Sequence, residues 1–120
     1  MTIPFALAAA LSCALLQGCE RAAEVTGAAQ SEHGQRLLAQ YQCGSCHSIP
    51  GVAAARGNIG PPLERWGGRS YIAGQIPNGP VALARWIASP QALVPGTLMP
   101  DMGVSEGDAR AIAAYLMSLK

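Results

Sequence analysis

The chain has 120 residues, enough for one domain and too few for two. Its formal charge is +1, from eight basic side chains against seven acids, and it lacks the basic stripe that nucleic-acid binding requires, so nucleic acid is excluded as a partner. Half the residues are hydrophobic, a figure inflated by alanine, and only 5% are aromatic. A domain of about 100 residues buries its surface only modestly, so a large apolar cofactor would help complete such a core.

In chain order, Ile3 to Leu16 is a nearly unbroken apolar run, too short to span a bilayer comfortably. It ends in Leu16-Gln17-Gly18-Cys19, which resembles the lipobox of bacterial lipoproteins, where the cysteine is lipidated and becomes the new amino terminus. Residues 1–18 are therefore expected to be a lipoprotein-type signal peptide, although Met1-Thr2-Ile3-Pro4 lacks the basic residues of most secretory signals. An ordinary signal peptide cut elsewhere, or a short buried helix, is the alternative. Residues 19–30 are alanine-rich without an apolar period and read as a tether, with a short weak helix as the alternative; a flexible stretch of that length spans roughly 20 Å. The expected location is the periplasmic side of a bacterial membrane, lipid-anchored, or the periplasm itself if Cys19 is unmodified. Cys13 then leaves with the leader and Cys19 carries lipid. Cys43 and Cys46 remain, and no cysteine is left for a structural disulfide.

Residues 31–120 read as the folded domain. Ser31 is expected to cap a helix with Glu32 in its first turn, and Gly34, Leu37, Leu38 and Tyr41 fall on one helical face. Ile49 to Pro62 is rich in proline and glycine and reads as loop, followed by a turn of helix near Tyr71 to Gln75. Asn78-Gly79-Pro80 opens a helix over Val81 to Ala88 with Leu83, Trp86 and Ile87 on one side; Pro90 stops it. Gln91 to Val104 reads as a second loop. The last helix has Ser105 and Asp108 at capping-box spacing and an apolar face of Ala109, Ile112, Ala113, Leu116 and Leu119. No alternating run of β-branched residues indicates a strand. The fold class is all-α, with long loops that need something to wrap.

Cys43-Gly44-Ser45-Cys46-His47 carries the chemistry. A Cys-x-x-Cys-His run is the sequence sign of covalent haem c attachment: two thiols add to the haem vinyl groups, and the adjacent histidine is directed at the iron. A thioredoxin-like pair would need a strand-helix context. A zinc site would need a second ligand pair, and outside the motif only His33 offers an imidazole; that residue sits in a first helical turn and is expected to face water. Histidine/methionine ligation suits electron transfer. Met99, Met102 and Met117 qualify by position; Met117 lies on the last helix, where a methionine usually packs, while Met99 and Met102 share one loop.

From Ser31 to Leu119 the order helix, CxxCH, Gly-Pro loop, short helices, Pro-Gly-Thr-x-Met loop and C-terminal helix resembles bacterial monohaem class I c-type cytochromes. The resemblance implies a small helical fold wrapped around one covalent haem. It selects Met99, after Pro95-Gly96-Thr97, as the second iron ligand. It also implies that the Pro61 carbonyl, in Gly60-Pro61-Pro62-Leu63, accepts the Nδ1 proton of His47. Arg69 is implied to lie near a haem propionate, and Thr97 to hydrogen-bond a propionate or the ligand loop. Trp86 should flank the ligand sulfur, Trp66 should cover the haem edge, and Gly34 and Tyr115 should pair where the first and last helices cross. The function implied is one-electron transfer without enzymatic turnover, by a monomeric domain serving redox proteins. A subunit of a membrane oxidase or dehydrogenase complex is the alternative, and a haem gas sensor or peroxidase a more distant one. Lys120 is the domain's one lysine, so partner docking is expected on small apolar residues near Cys46 and Val52 to Ala55 rather than on a lysine ring.

Overall fold

The computed structural model describes residues 26–120, so the proposed signal peptide, Cys19 and most of the tether lie outside the described residues. The first helix, α1, covers 26–40. It therefore includes Ser31, which is not its cap: Ala28, Ala29 and Gln30 are good helix formers and continue the helix upstream. Its buried face is Gly34, Leu37 and Leu38, as the spacing predicts, with Tyr41 half-buried just beyond. Gln42, at φ +56°, breaks the helix and starts a 3₁₀ turn over Cys43–Ser45.

A second 3₁₀ turn, Trp66–Gly68, is likewise opened by a left-handed residue, Arg65 at φ +50°. The expected helical turn near Tyr71 is instead a small antiparallel ladder, β1 (Tyr71–Ile72) and β2 (Ile76–Pro77), with Ile72 opposite Ile76. Ala73 and Gly74 are both left-handed, at φ +48° and +74°, and Gln75 N–H bonds the Ile72 carbonyl at 3.1 Å, as in a type I′ turn. Helix α2 runs Pro80–Ala88, capped at Gly79 with Pro80 in its first turn. Pro90 ends that helix and also begins another, α3 (Pro90–Leu93), because a proline is excluded from helix interiors but suits a first helical position. The rest of the segment before the last helix is loop.

Helix α4 spans Glu106–Ser118. Ser105 Oγ accepts the Asp108 N–H at 3.1 Å, the first half of the capping box. The Asp108 carboxylate does not return to the cap; it accepts the Tyr41 hydroxyl at 2.7 Å and so ties α1 to the start of α4. Ala109, Ile112, Ala113 and Leu116 are buried and Leu119 half-buried. At the crossing of α1 and α4 a Cβ on Gly34 would stand 1.9 Å from the Ala111 carbonyl oxygen, so only glycine allows this backbone approach. Tyr115, one turn on, donates its hydroxyl to the Pro50 carbonyl at 2.6 Å. Helix α2 packs on α4, and the Trp66–Gly68 turn closes on the end of α4 through Gly67 N–H to the Leu119 carbonyl at 2.8 Å. Leu38, Ile72, Leu83, Pro90 and Ile112 are the most completely buried large side chains. The chain is all-α in class; no helix among the described residues is long and apolar enough to cross a membrane.

Candidate haem site

The left-handed turn at Gln42 swings Cys43 off the end of α1, and both motif thiols are half-buried and unbridged. Burial pushes the Cys43 thiol above its ordinary pKa, opposite to the lowered thiol that disulfide-exchange chemistry uses. Among the described residues, no group of three or more His, Cys, Asp or Glu side chains is arranged to hold a metal ion on its own. The segment after the motif folds back over it. Gly57 N–H bonds the Gly44 carbonyl at 3.0 Å, Gly60 N–H the Cys46 carbonyl at 2.8 Å, and Leu63 N–H the Ser48 carbonyl at 2.8 Å.

That return places the Pro61 carbonyl 2.7 Å from His47 Nδ1. A carbonyl only accepts, so Nδ1 carries a proton, and in the neutral ring the lone pair is then on Nε2. Gly60 lies flat against the imidazole: a Cβ there would be 2.4 Å from Cε1. The histidine is thus fixed from two sides by backbone.

Met99 is half-buried against the core, Met102 is 41% exposed, and Met117 packs on the core from α4. Thr97 Oγ1 accepts the Met99 N–H at 3.3 Å. Trp86 is buried in the core. Trp66 is buried too, yet its Nε1–H has no partner. Arg69 lies over the Trp66 ring, 4.7 Å from its centroid, and donates to the carbonyls of Pro62 and, at 3.1 Å, Glu64. His33 is half-exposed and 4.0 Å from Asp108.

Two residues escaped the sequence reading. The Asn78 amide donates to the Trp66 and Arg69 carbonyls at 3.1 and 3.0 Å, while its buried Oδ1 is unpartnered. Gln91 reaches from α3 to the backbone of the Met99 loop. Asn-Gly-Pro was legible only as a helix start, and an exposed glutamine has no periodic signature. The expected apolar docking segment is split by the fold: Ala53 and Ala54 are exposed. Val52 and Ala55 are buried, because the hydrogen bonds Val52 N–H to Ile49 and Ala55 N–H to Val52 curl the loop inward. The exposed large apolar residues of the two long loops are Ile59, Leu98 and Met102. An open groove of about 670 Å³, bordered by Val81, Ala84, Leu93 and Arg110, contains none of the predicted site residues.

A family model for cytochrome c matches residues 31–120. The chain belongs to the cytochrome c family. It is similar to subunit 2 of the cytochrome c oxidase of Alkalihalophilus pseudofirmus, at 36% identity over 91 residues. The aligned part covers 75% of this chain and 26% of that relative, so the chain spans about a quarter of the relative's length. No solved structure matches it. As a cytochrome c domain it carries covalently bound haem c with its iron and serves as a haem electron carrier.

The residues present fit that group. Two adjacent thiols and a pre-oriented imidazole supply the donor set. The unpaired Trp66 N–H is a buried donor that needs an acceptor, a role a haem carboxylate would fill.

Proposed function

We propose that the domain is a one-electron carrier whose single haem is held by Cys43 and Cys46 and ligated by His47 and Met99. When bound, haem c supplies a one-electron ferric/ferrous couple. The bond from His47 Nδ1 to the Pro61 carbonyl is the observation that carries this reading, since it leaves Nε2 free to ligate and raises the basicity of the imidazole. Met99 is the favoured thioether because it packs against the core while Met102 is 41% exposed and does not. The Trp66 N–H and the Arg69 guanidinium stacked on that ring would compensate a propionate charge, and Trp86 would pack beside the ligand sulfur. In this reading Met99→Ala makes the haem high-spin or misligated. Its potential falls by on the order of 0.1 V, a fraction of the roughly 0.8 V that axial ligands command. Met102→Ala leaves both unchanged, and the reverse pattern in optical spectra and potentiometry would overturn the assignment.

The lipobox-like Leu16-Gln17-Gly18-Cys19 supports a signal peptide over 1–18, a lipid on Cys19 and a periplasmic position at a bacterial membrane. Cys19→Ala should release the haem protein from washed membranes. The oxidase subunit relative favours a second reading, a cytochrome c subunit of a membrane respiratory complex. Co-purification with an oxidase or dehydrogenase from solubilised membranes separates that subunit from a free carrier.

A further inference from the structure

We infer that Gln91 is a positioning residue that clamps the Met99 loop and sets how firmly the methionine is presented to the iron, an inference that rests on the His/Met reading above. Its amide makes three contacts with one stretch of backbone. Nε2 donates to the Thr97 carbonyl at 2.6 Å and to the Met99 carbonyl at 3.3 Å, and Oε1 accepts the Gly96 N–H at 3.2 Å. Both ends of one amide are thus used, and the loop is gripped on either side of Leu98.

The grip has a fixed base. Gln91 is the second residue of α3, whose first residue, Pro90, is among the most completely buried side chains, and Val94 N–H closes the turn on the Pro90 carbonyl at 2.9 Å. Beyond the packing of Met99 on the core, the loop has little else to hold it. Leu98 is 98% exposed, Pro95, Gly96 and Pro100 offer no helical or strand ladder, and Met102 points outward. The remaining ties are internal: Thr97 N–H to the Val94 carbonyl at 3.1 Å, and Met99 N–H to Thr97 Oγ1 at 3.3 Å. Those bonds shape the loop without fixing it to the body of the domain. Gln91 does fix it.

The test uses the full haem-loaded chain and follows the sulfur-to-iron charge-transfer band of the oxidised protein as pH rises. Gln91→Ala removes three exposed hydrogen bonds, each contributing about a factor of two, so methionine release becomes about tenfold easier and its pH midpoint falls by about one unit. Gln91→Glu keeps an acceptor for Gly96 N–H but sets a carboxylate against two carbonyls, so it loosens the loop at neutral pH. Protonation of the introduced carboxyl near its ordinary pKa of about 4 restores a donor and part of the band. The folding equilibrium constant falls by about the same factor, because these bonds are absent from the unfolded state too. The control is Gln35→Ala, which removes a hydrogen bond to the Gly51 carbonyl outside the loop and should lower stability while leaving the band midpoint at the wild-type value. Unchanged band midpoints in both Gln91 variants, or an equal shift in Gln35→Ala, would overturn the clamp. A wild-type protein without the band, or one that keeps it in Met99→Ala, would overturn the His/Met reading itself.

Discussion

Replacing Gly34 by alanine tests the packing on which the whole domain depends. A Cβ at Gly34 would meet the Ala111 carbonyl oxygen at 1.9 Å, the Ala111 carbonyl carbon at 2.5 Å and the Ile112 nitrogen at 2.9 Å. All three are backbone of α4, so no side chain can rotate away. The helices must separate by about 1.5 Å or more to reach ordinary contact, which loosens Leu37, Leu38, Ile112 and Leu116 together. Overpacking of this kind costs about 1–3 kcal/mol, and the clash with rigid backbone argues for the upper end. The better helix propensity of alanine returns up to about 1 kcal/mol. The net loss of about 2 kcal/mol lowers the melting temperature of a domain this size by roughly 8–16 °C. Gly27→Ala is the control, since that position lies in the same helix with nothing within 4 Å of the added carbon. It should raise stability by up to about 1 kcal/mol. Calorimetry of the haem-loaded proteins reads both signs. If both alanines stabilise alike, the close crossing of α1 and α4 is wrong.

Two further substitutions probe the site and its surroundings. Tyr41 donates to the Asp108 carboxylate, and that bond, with some desolvation, raises the phenol above its ordinary pKa of 10.0. Its contribution to stability is therefore fully present below about pH 10 and is lost as pH rises through the raised value. Urea melts at stepped pH should show a stability gap between wild type and Tyr41→Phe that is constant to about pH 10 and narrows above it; a gap that widens would refute the bond. Gly60→Ala drives a methyl into the His47 ring, 2.4 Å from Cε1, and should reduce the low-spin haem fraction while the unfolding free energy falls by about 1–3 kcal/mol and the denaturant midpoint with it. A wild-type Soret spectrum and midpoint would show that the ring is not confined.

What could be read from sequence was what is local in the chain. The haem motif occupies five consecutive residues, the Ser105 cap acts over three, and the buried faces of α1 and α4 repeat at helical spacing. What escaped depends on backbone states or on partners far along the chain. Ala73 has no reason in its own chemistry to be left-handed, yet it turns the hairpin between β1 and β2. Pro90 was legible as a stop and not as a start, because a proline carries both signals. The inward curl at Val52 and Ala55 follows from loop hydrogen bonds that apolar residue types do not encode. Asn78 and Gln91 act through backbone carbonyls, which every residue has, so their partners leave no trace in residue identity.

The two flanks of the proposed ligand pair are held by different physics. Around His47 the ties are backbone bonds within 21 residues, Cys43 to Leu63, closed by Gly60 against the ring. Left-handed Gln42 and Ala54 sit in or beside that segment, and such residues cost about 1–3 kcal/mol each, so they persist only where neighbours over-determine them. Around Met99 the ties are side-chain bonds from Gln91, Thr97 and Asp101 to an exposed loop, each individually weak in water. A stress that frays polar surface contacts reaches Met99 before it reaches His47. The imidazole is then the fixed reference of the site and the thioether its adjustable member. With Met99 as the proposed ligand, substitution along 91–103 should alter potential and ligand exchange while covalent haem content stays at the wild-type level, read by potentiometry and by haem stain.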